Sequence, residues 1–152
     1  MNIRPAVAAD LPAIRQLLTA AALDARGVEA CLATTLVGEQ GGRLVAAGSL
    51  EPVDGSFLLR SLAVDPDYRG RGEGRRLALR LLDLAGGLGA GEAWLLTTTA
   101  ADFFAALGFS RVPRDAAPPA VRATEQFARL CPESAVLMRL RLAMLAPPRI
   151  TR

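Results

Sequence analysis

The residues with the clearest chemical potential form one basic, glycine-rich run, Arg69-Gly70-Arg71-Gly72-Glu73-Gly74-Arg75-Arg76. This run lies between a strand-like segment and a helical one. Glycines let the backbone approach a ligand closely and direct successive N–H groups toward one point. The start of a helix adds the positive end of its dipole, and guanidinium groups add charge and paired donors. Taken alone, such a run is more often a flexible basic turn, but its position suits a pyrophosphate.

Two common nucleotide-binding motifs are excluded by the spacing of the glycines. No Gly-Lys-Ser/Thr follows them, so the run is not a Walker loop. The dinucleotide-binding pattern Gly-x-Gly-x-x-Gly fails at Arg75, and no acidic residue stands at the end of a second strand. A different phosphate-bearing cofactor is therefore predicted.

Composition restricts the chemistry further. All 18 basic residues are arginine and there is no histidine, which removes the commonest general base and the commonest metal ligand, so no metal site is predicted. A net charge of +3 is too small to indicate nucleic-acid binding. The chain has neither an apolar run of membrane-spanning length nor a secretory pattern at its start. We expect a cytoplasmic protein with Cys31 and Cys131 as free thiols.

The periodicity of apolar residues and the turn residues predict one α+β domain over residues 1–145, with a frayed tail over 146–152. The expected order of elements is β-α-α-β-β-β-α-β-α-β-(α)-β. The predicted strands cover residues 3–5, 35–39, 43–50, 56–64, 93–98, 109–112 and 134–142. The three between residues 35 and 64 are predicted to form an antiparallel meander, with turns at Gln40-Gly41-Gly42 and Pro52-Val53-Asp54-Gly55. The first predicted helix follows Asp10 as its N-cap, and the others cover residues 28–34, 72–87, 100–107 and 120–130.

Three motifs, in this order along the chain, resemble the GNAT acetyltransferases. Leu62-Ala63-Val64-Asp65-Pro66 is similar to the family's fourth strand and its exit. Arg69, Gly72 and Gly74 match the family pattern Arg/Gln-x-x-Gly-x-Gly/Ala, and Leu107-Gly108-Phe109 matches its Leu-Gly-Phe. The resemblance implies a three-layer α/β arrangement. Its mixed, mostly antiparallel sheet of about seven strands splays between strands 4 and 5 and is flanked by helices.

The same resemblance implies acetyl-CoA as the cofactor. The backbone amides of Leu62, Ala63 and Val64 would pair with its pantetheine arm, and the Leu62 N–H is a candidate donor to the thioester oxygen. The residues implied for its pyrophosphate are Arg69, Gly70, Arg71, Gly72, Glu73, Gly74 and Arg75. The Glu73 side chain is predicted to point away from the phosphates into solvent.

Two departures from the family pattern affect the expected mechanism. Where many members have a glutamate base this chain has Arg60, and where they have a tyrosine acid it has Phe104. Deprotonation of the amine would fall to water, or to Glu51 or Glu133 acting through water. Replacement acids are Thr97, Thr98 and Cys131. A degenerate domain that binds acyl-CoA as a sensor or interaction module would also lack these two groups.

Longer segments, residues 58–64, 95–100 and 127–135, resemble the arsenic-resistance N-acetyltransferase branch of the family. That implies a bacterial enzyme acting on a small, anionic primary amine, with an organoarsenical amino acid as one candidate. Arg60 would clamp the anionic group, or else pair with an internal carboxylate.

Four further residues are candidate substrate contacts: Phe104, Thr124, Gln126 and Cys131. Core packing is the alternative for Phe104 and Cys131, and a solvated helix face is the alternative for Thr124 and Gln126. A homodimer formed through residues 135–142 is possible for this family.

Overall fold

Seven strands form one sheet in the computed structural model, which describes residues 1–130 and 133–142, except for the side chains of 129 and 130. In chain order the strands are β1 (Asn2–Pro5), β2 (Thr35–Gln40), β3 (Arg43–Val53), β4 (Ser56–Val64), β5 (Glu92–Thr97), β6 (Ser110–Val112) and β7 (Val136–Arg141). Their order in the sheet is β1-β2-β3-β4-β5-β7-β6. The helices are α1 (Leu11–Ala20), α2 (Glu73–Gly87), α3 (Ala101–Ala106) and α4 (Pro119–Arg122).

The predicted antiparallel meander of β2, β3 and β4 is confirmed, and its turns are tight. Gly41 and Gly42 have φ of 60° and 77°, and Asp54 and Gly55 have φ of 49° and 79°. Two consecutive residues with positive φ are typical of two-residue hairpin turns. The predicted second turn began at Pro52 and included Val53, but β3 runs on to Val53, so only Asp54 and Gly55 make that turn.

The sheet is mixed, as predicted. β4 pairs with β5 in parallel through Phe57–Ala93 and Leu58–Trp94. β7 pairs antiparallel with both β5 and β6. The predicted splay between β4 and β5 stays a prediction.

Most helix predictions agree with the structure, including a 3₁₀ helix at Val28–Thr34. The predicted helix over 120–130 is wrong as a continuous element: α4 ends at Arg122 and a π-helical turn follows at Gln126–Leu130. The Thr124 hydroxyl donates to the Val121 carbonyl at 2.7 Å and accepts from the Phe127 N–H at 3.2 Å. Because this side chain bonds to the backbone on both sides of the break, it competes with a regular helical ladder.

The chain divides into two compact units. The first, Met1–Glu51 with Leu59–Leu81, has a core that includes Ile14, Leu18, Val28, Val37 and Ala63. The second, Pro52–Leu58 with Leu82–Arg152, has a core that includes Val53, Leu58, Trp94, Val121 and Leu137. The single domain over 1–145 stays a prediction, and the predicted tail over 146–152 lies outside the described residues. No helix in the described part of the chain has the length and apolar character to cross a membrane.

Gly48 in β3 is required by close packing in the first unit. A Cβ built on Gly48 would lie 2.6 Å from Leu81 Cδ1 and 3.0 Å from Leu62 Cδ1, and Leu81 is fully buried. We expect Gly48→Ala to lower the free energy of unfolding by about 1–3 kcal/mol, because the side chains of Leu81 and Leu62 must move. The matched control is Gly86→Ala in α2, where the added Cβ meets nothing within 4 Å. Urea unfolding of the Gly86→Ala protein should give a free energy of unfolding equal to or slightly above that of the wild type. If Gly48→Ala raised the free energy of unfolding, the packing argument would be contradicted.

Asp10 stands before α1, but it does not cap that helix as predicted. Its side chain makes no cap hydrogen bond to α1. Instead the carboxylate accepts from the Val7 N–H at 2.8 Å and from the Arg4 guanidinium at 2.8 and 2.9 Å. The Arg4 hydrogen bonds lower the pKa of Asp10 from its ordinary 3.8, and they outweigh the opposing effect of burial.

A pKa lowered by folding gives stability that is present above the unfolded value and is lost as the pH falls through the folded value. We expect Asp10→Asn to cost about 1–2 kcal/mol near neutral pH, because it replaces a charge-assisted bond by a neutral one. The difference from the wild type should shrink as the pH falls below 3.8. Urea unfolding of both proteins across the acid range measures this, and a pH-independent difference would contradict it.

Candidate functional site

The glycine-rich run forms the connection into α2. It follows a 3₁₀ helix at Pro66–Tyr68, which the Asp65 side chain caps by accepting from the Asp67 N–H at 2.9 Å. Gly70 and Gly72 have φ of 78° and 79°, and a Cβ added at either would meet nothing within 4 Å. The backbone there is open on one side and adopts a conformation that favours glycine.

Gly72 marks the start of α2. Its carbonyl accepts from the Arg76 N–H at 3.0 Å, the first hydrogen bond of the helix. The N–H groups of the first helical turn have no carbonyl partner within the helix, so those of Glu73, Gly74 and Arg75 are available to an anion. The local geometry therefore has what a pyrophosphate site requires.

The charged side chains of the run differ in what they contact. Arg69 Nε donates to the Val64 carbonyl at 3.1 Å, so this arginine braces the end of β4. Arg76 pairs with Glu73 at 2.8 Å. The prediction that Glu73 points into solvent is wrong: its side chain is only 12% exposed and lies beside Arg76 and the Met1 amino group.

The backbone of β4 is irregular at Ser61. Ser61 has φ of 59°, in the left-handed region that non-glycine residues rarely adopt. Such a residue in a strand re-aims the backbone that follows, as bulges near active sites do. Leu62, Ala63 and Val64 follow directly, so the amides predicted to contact the pantetheine arm lie just after this irregularity. Neither glycine nor asparagine marks the position.

Arg60 is buried, with its side chain 3% exposed, and it contacts its neighbour in β4 and two other parts of the first unit. Its Nη1 donates to Glu51 Oε1 at 3.0 Å, its Nη2 to the Arg26 carbonyl at 2.6 Å, and its Nε to Ser61 Oγ at 3.3 Å. Arg60 thus pairs with an internal carboxylate, that of Glu51, as one of the two alternatives predicted. The three bonds use three of the five N–H donors of a guanidinium.

Two neighbours of Arg60 were not anticipated from the sequence. Gly27 has φ of 84°, and a Cβ added there would stand 3.4 Å from Arg60 Nη1. The buried Cys31 thiol has a raised pKa because burial disfavours its thiolate, an effect that Glu51 adds to and Arg60 opposes. Cys31 is therefore a weak nucleophile in this setting.

The remaining candidates lie in the second unit, and several already have structural contacts. Thr97, at the end of β5, accepts from the Ala100 N–H at 3.0 Å, whereas Thr98 is exposed. Phe104 is buried and packs edge-on against Phe103 and Phe109, with centroids 5.0 and 5.7 Å apart. The burial and aromatic contacts of Phe104 are compatible with the alternative that it packs in the core.

The two predicted contacts on the broken helix differ in exposure. Thr124 is buried and its hydroxyl is engaged at the break, while Gln126 is half-buried. Cys131 lies outside the described residues. Glu133 is exposed. Across residues 1–130 and 133–142, no three histidine, cysteine, aspartate or glutamate side chains are grouped so that they could hold a metal ion.

A family model described as an acetyltransferase (GNAT) domain matches residues 31–111, which is just over half of the chain. The chain belongs to the GNAT acetyltransferase family. The matched residues include β4, the glycine-rich run and the Leu-Gly-Phe motif on which the sequence-based resemblance rested. The predicted fold class is therefore confirmed, both by the sheet and by the family.

Two curated relatives are similar to the chain over only part of their length. An uncharacterized protein of Mycobacterium leprae, ML0378, is 41% identical over 89 residues, covering 56% of this chain and 23% of that protein. An amino-acid acetyltransferase of Pseudomonas paraeruginosa is 34% identical over 93 residues, covering 60% and 22%. The chain thus spans less than a quarter of the length of these two relatives.

Among the solved structures that match this GNAT chain over nearly the whole of both proteins is a mycobacterial one. Rv2747 from Mycobacterium tuberculosis, in complex with CoA and NLQ, superposes with a TM-score of 0.80 at 25% identity. The alignment covers 93% of this chain and 99% of that one. The relative therefore has the same arrangement of strands and helices as well as a bound CoA.

Proposed function

We propose that this chain is an acetyl-CoA-dependent N-acetyltransferase that acts on the primary amine of a small, amino-acid-like substrate with an anionic group. The observation that carries the proposal is the open, left-handed backbone at Gly70 and Gly72 at the start of α2. A solved relative of similar size is in complex with CoA, and another relative is an amino-acid acetyltransferase, which supports both halves of the proposal.

The reaction is a direct attack within a ternary complex. The amine nitrogen bonds to the thioester carbonyl carbon, the C–S bond breaks, and the nitrogen loses a proton as the amide forms. Coenzyme A leaves as a thiolate that takes up a proton. Main-chain N–H groups around Gly72 hold the diphosphate, and those of Leu62, Ala63 and Val64 align the pantetheine arm. The Leu62 N–H, after the left-handed Ser61, donates to the thioester oxygen where negative charge develops. Positioning alone can contribute several kcal/mol.

Arg60 is the residue we assign to the anionic group of the acceptor, through the donors that Glu51, Arg26 and Ser61 do not use. Phe104, Thr124, Gln126 and Cys131 are the further acceptor contacts in this proposal. An acid-bearing amine fits a buried guanidinium better than a basic peptide does. Within this class, the resemblance to the arsenic-resistance branch makes an organoarsenical amino acid one candidate acceptor.

Proton transfer is the step for which the family's usual residues are absent. The acceptor ammonium must lose a proton before it attacks, and a guanidinium cannot accept one near neutral pH. We assign this role to water, with Glu51 or Glu133 as the carboxylate behind it; the Glu51 side chain is 24% exposed, so water can reach it. Thr97, Thr98 or Cys131 would return a proton to the leaving thiolate.

Thiol release from acetyl-CoA tests the proposal against a panel of amines. The panel contains α-amino acids, their primary amides, an arsenic-containing amino acid, a polyamine and a basic peptide. We expect turnover with acid-bearing amines and little with the polyamine or the peptide. Tight CoA binding without turnover of any amine would instead support a sensor or interaction module. No heat with coenzyme A in calorimetry would overturn the proposal.

A further inference from the structure

An aromatic ring beside the glycine-rich run carries two guanidinium groups. Arg71 Cζ lies 5.3 Å from the centroid of the Tyr68 ring, and Arg43 Cζ lies 5.9 Å from it. Both distances are within the range of cation–π attraction. We name Arg43, Tyr68 and Arg71 the tyrosine clamp. It lies in the first unit, next to Gly70 and Gly72.

The two arginines of the tyrosine clamp differ in their charge partners. Arg43 Nη2 lies 2.5 Å from Asp65 Oδ2, so a carboxylate neutralises it. Arg71 is exposed, and among residues 1–130 and 133–142 no carboxylate oxygen lies within 4 Å of its guanidinium. Its neighbours Arg69 and Arg76 are engaged by the Val64 carbonyl and by Glu73. The clamp therefore contains one positive charge that is held by a ring and still lacks a counter-ion.

Stacking orders a guanidinium while leaving its N–H edge open to an anion. A long arginine side chain loses rotamer freedom when it binds, and a side chain already ordered by the ring loses less. The glycines on either side of Arg71 have positive φ, and the Arg71 side chain between them is exposed. Arg71 is thus prepared to bind an anion through its open N–H edge.

We propose that Arg71, held on Tyr68 by the tyrosine clamp, binds the 3′-phosphate on the ribose of coenzyme A. The inference rests on the proposed function, because it requires coenzyme A as the ligand. The cofactor has two anionic groups, a diphosphate and a phosphomonoester. The amides at the start of α2 suit the diphosphate, and the phosphomonoester carries close to two charges at neutral pH, which a guanidinium binds through paired hydrogen bonds.

The test compares coenzyme A with 3′-dephospho-coenzyme A by calorimetry on the whole chain. We expect the wild-type protein to bind coenzyme A about tenfold more tightly, a preference equal to one charge-assisted contact. Arg71→Gln should reduce that preference to about twofold or less while leaving the affinity for dephospho-coenzyme A unchanged. The control is Arg80→Gln, an exposed arginine on α2 that should keep the full preference.

Two results would overturn the subsite without touching the proposed function. One is equal binding of both nucleotides by the wild-type protein. The other is an Arg71→Gln protein that loses affinity for both in parallel, which would assign this side chain to the diphosphate. Failure of the wild-type protein to bind either nucleotide would overturn the proposed function itself.

Discussion

Replacing Gly72 with aspartate is expected to weaken coenzyme A binding by at least about 100-fold, because a carboxylate placed at the helix start repels the diphosphate. The room for the side chain exists, since a Cβ on Gly72 meets nothing within 4 Å. The fold should therefore survive the change. Calorimetry with coenzyme A gives the affinity, and urea unfolding reports on the fold.

Gly72→Asn is the matched control for this experiment. Asparagine and aspartate have the same shape, and both visit the left-handed region more readily than other side chains, so both variants carry the same backbone cost at φ of 79°. Only the charge differs between them. Asparagine should weaken binding by about tenfold or less, through crowding near the ligand. Equal affinities for the two variants would remove the electrostatic argument for the site.

Replacing Arg60 with methionine is expected to lower the free energy of unfolding by about 2–4 kcal/mol, because Glu51 and the Arg26 carbonyl lose a buried donor. The value lies below the usual cost of breaking a fully buried pair, since the Glu51 side chain is 24% exposed and water can partly replace the guanidinium. Methionine keeps an apolar stem of similar shape. The control Glu51→Gln retains an acceptor for Arg60 and should cost less, which urea unfolding measures.

Kinetics of the same Arg60 variant separate a clamp on the acceptor from a structural role. If the guanidinium binds the acceptor carboxylate, the KM for the acceptor rises much more than the KM for acetyl-CoA. The preference for an α-amino acid over its primary amide should disappear at the same time. A parallel loss with both acceptors would contradict the clamp and leave Arg60 as a residue that positions Glu51 and the backbone at Arg26.

The elements of this chain could be predicted from the sequence to within a few residues because their signals are local. Strand β4 begins and ends where the sequence placed it, and Gly41-Gly42 makes the predicted turn. The start of α2 at Gly72 also follows from a local pattern, since only glycine tolerates the backbone there without cost. The break in the predicted helix over 120–130 was missed because the Thr124 side chain, and not helix propensity, decides it.

By itself, then, the sequence determined the order of the elements, the glycine-rich start of α2 and the family to which these motifs belong. Only the tertiary structure decided what the charged side chains contact. Arg60 and Arg26 are 34 positions apart and Arg4 and Glu39 are 35 apart, so no spacing rule connects them. No spacing rule connects the members of the tyrosine clamp either, because Arg43 lies in β3 and Arg71 lies in the connection between β4 and α2. The spacing of residues in the sequence predicts hydrogen bonds and burial within one segment. A buried charge must be paired, and its partner depends on which residues the folded chain brings close to it.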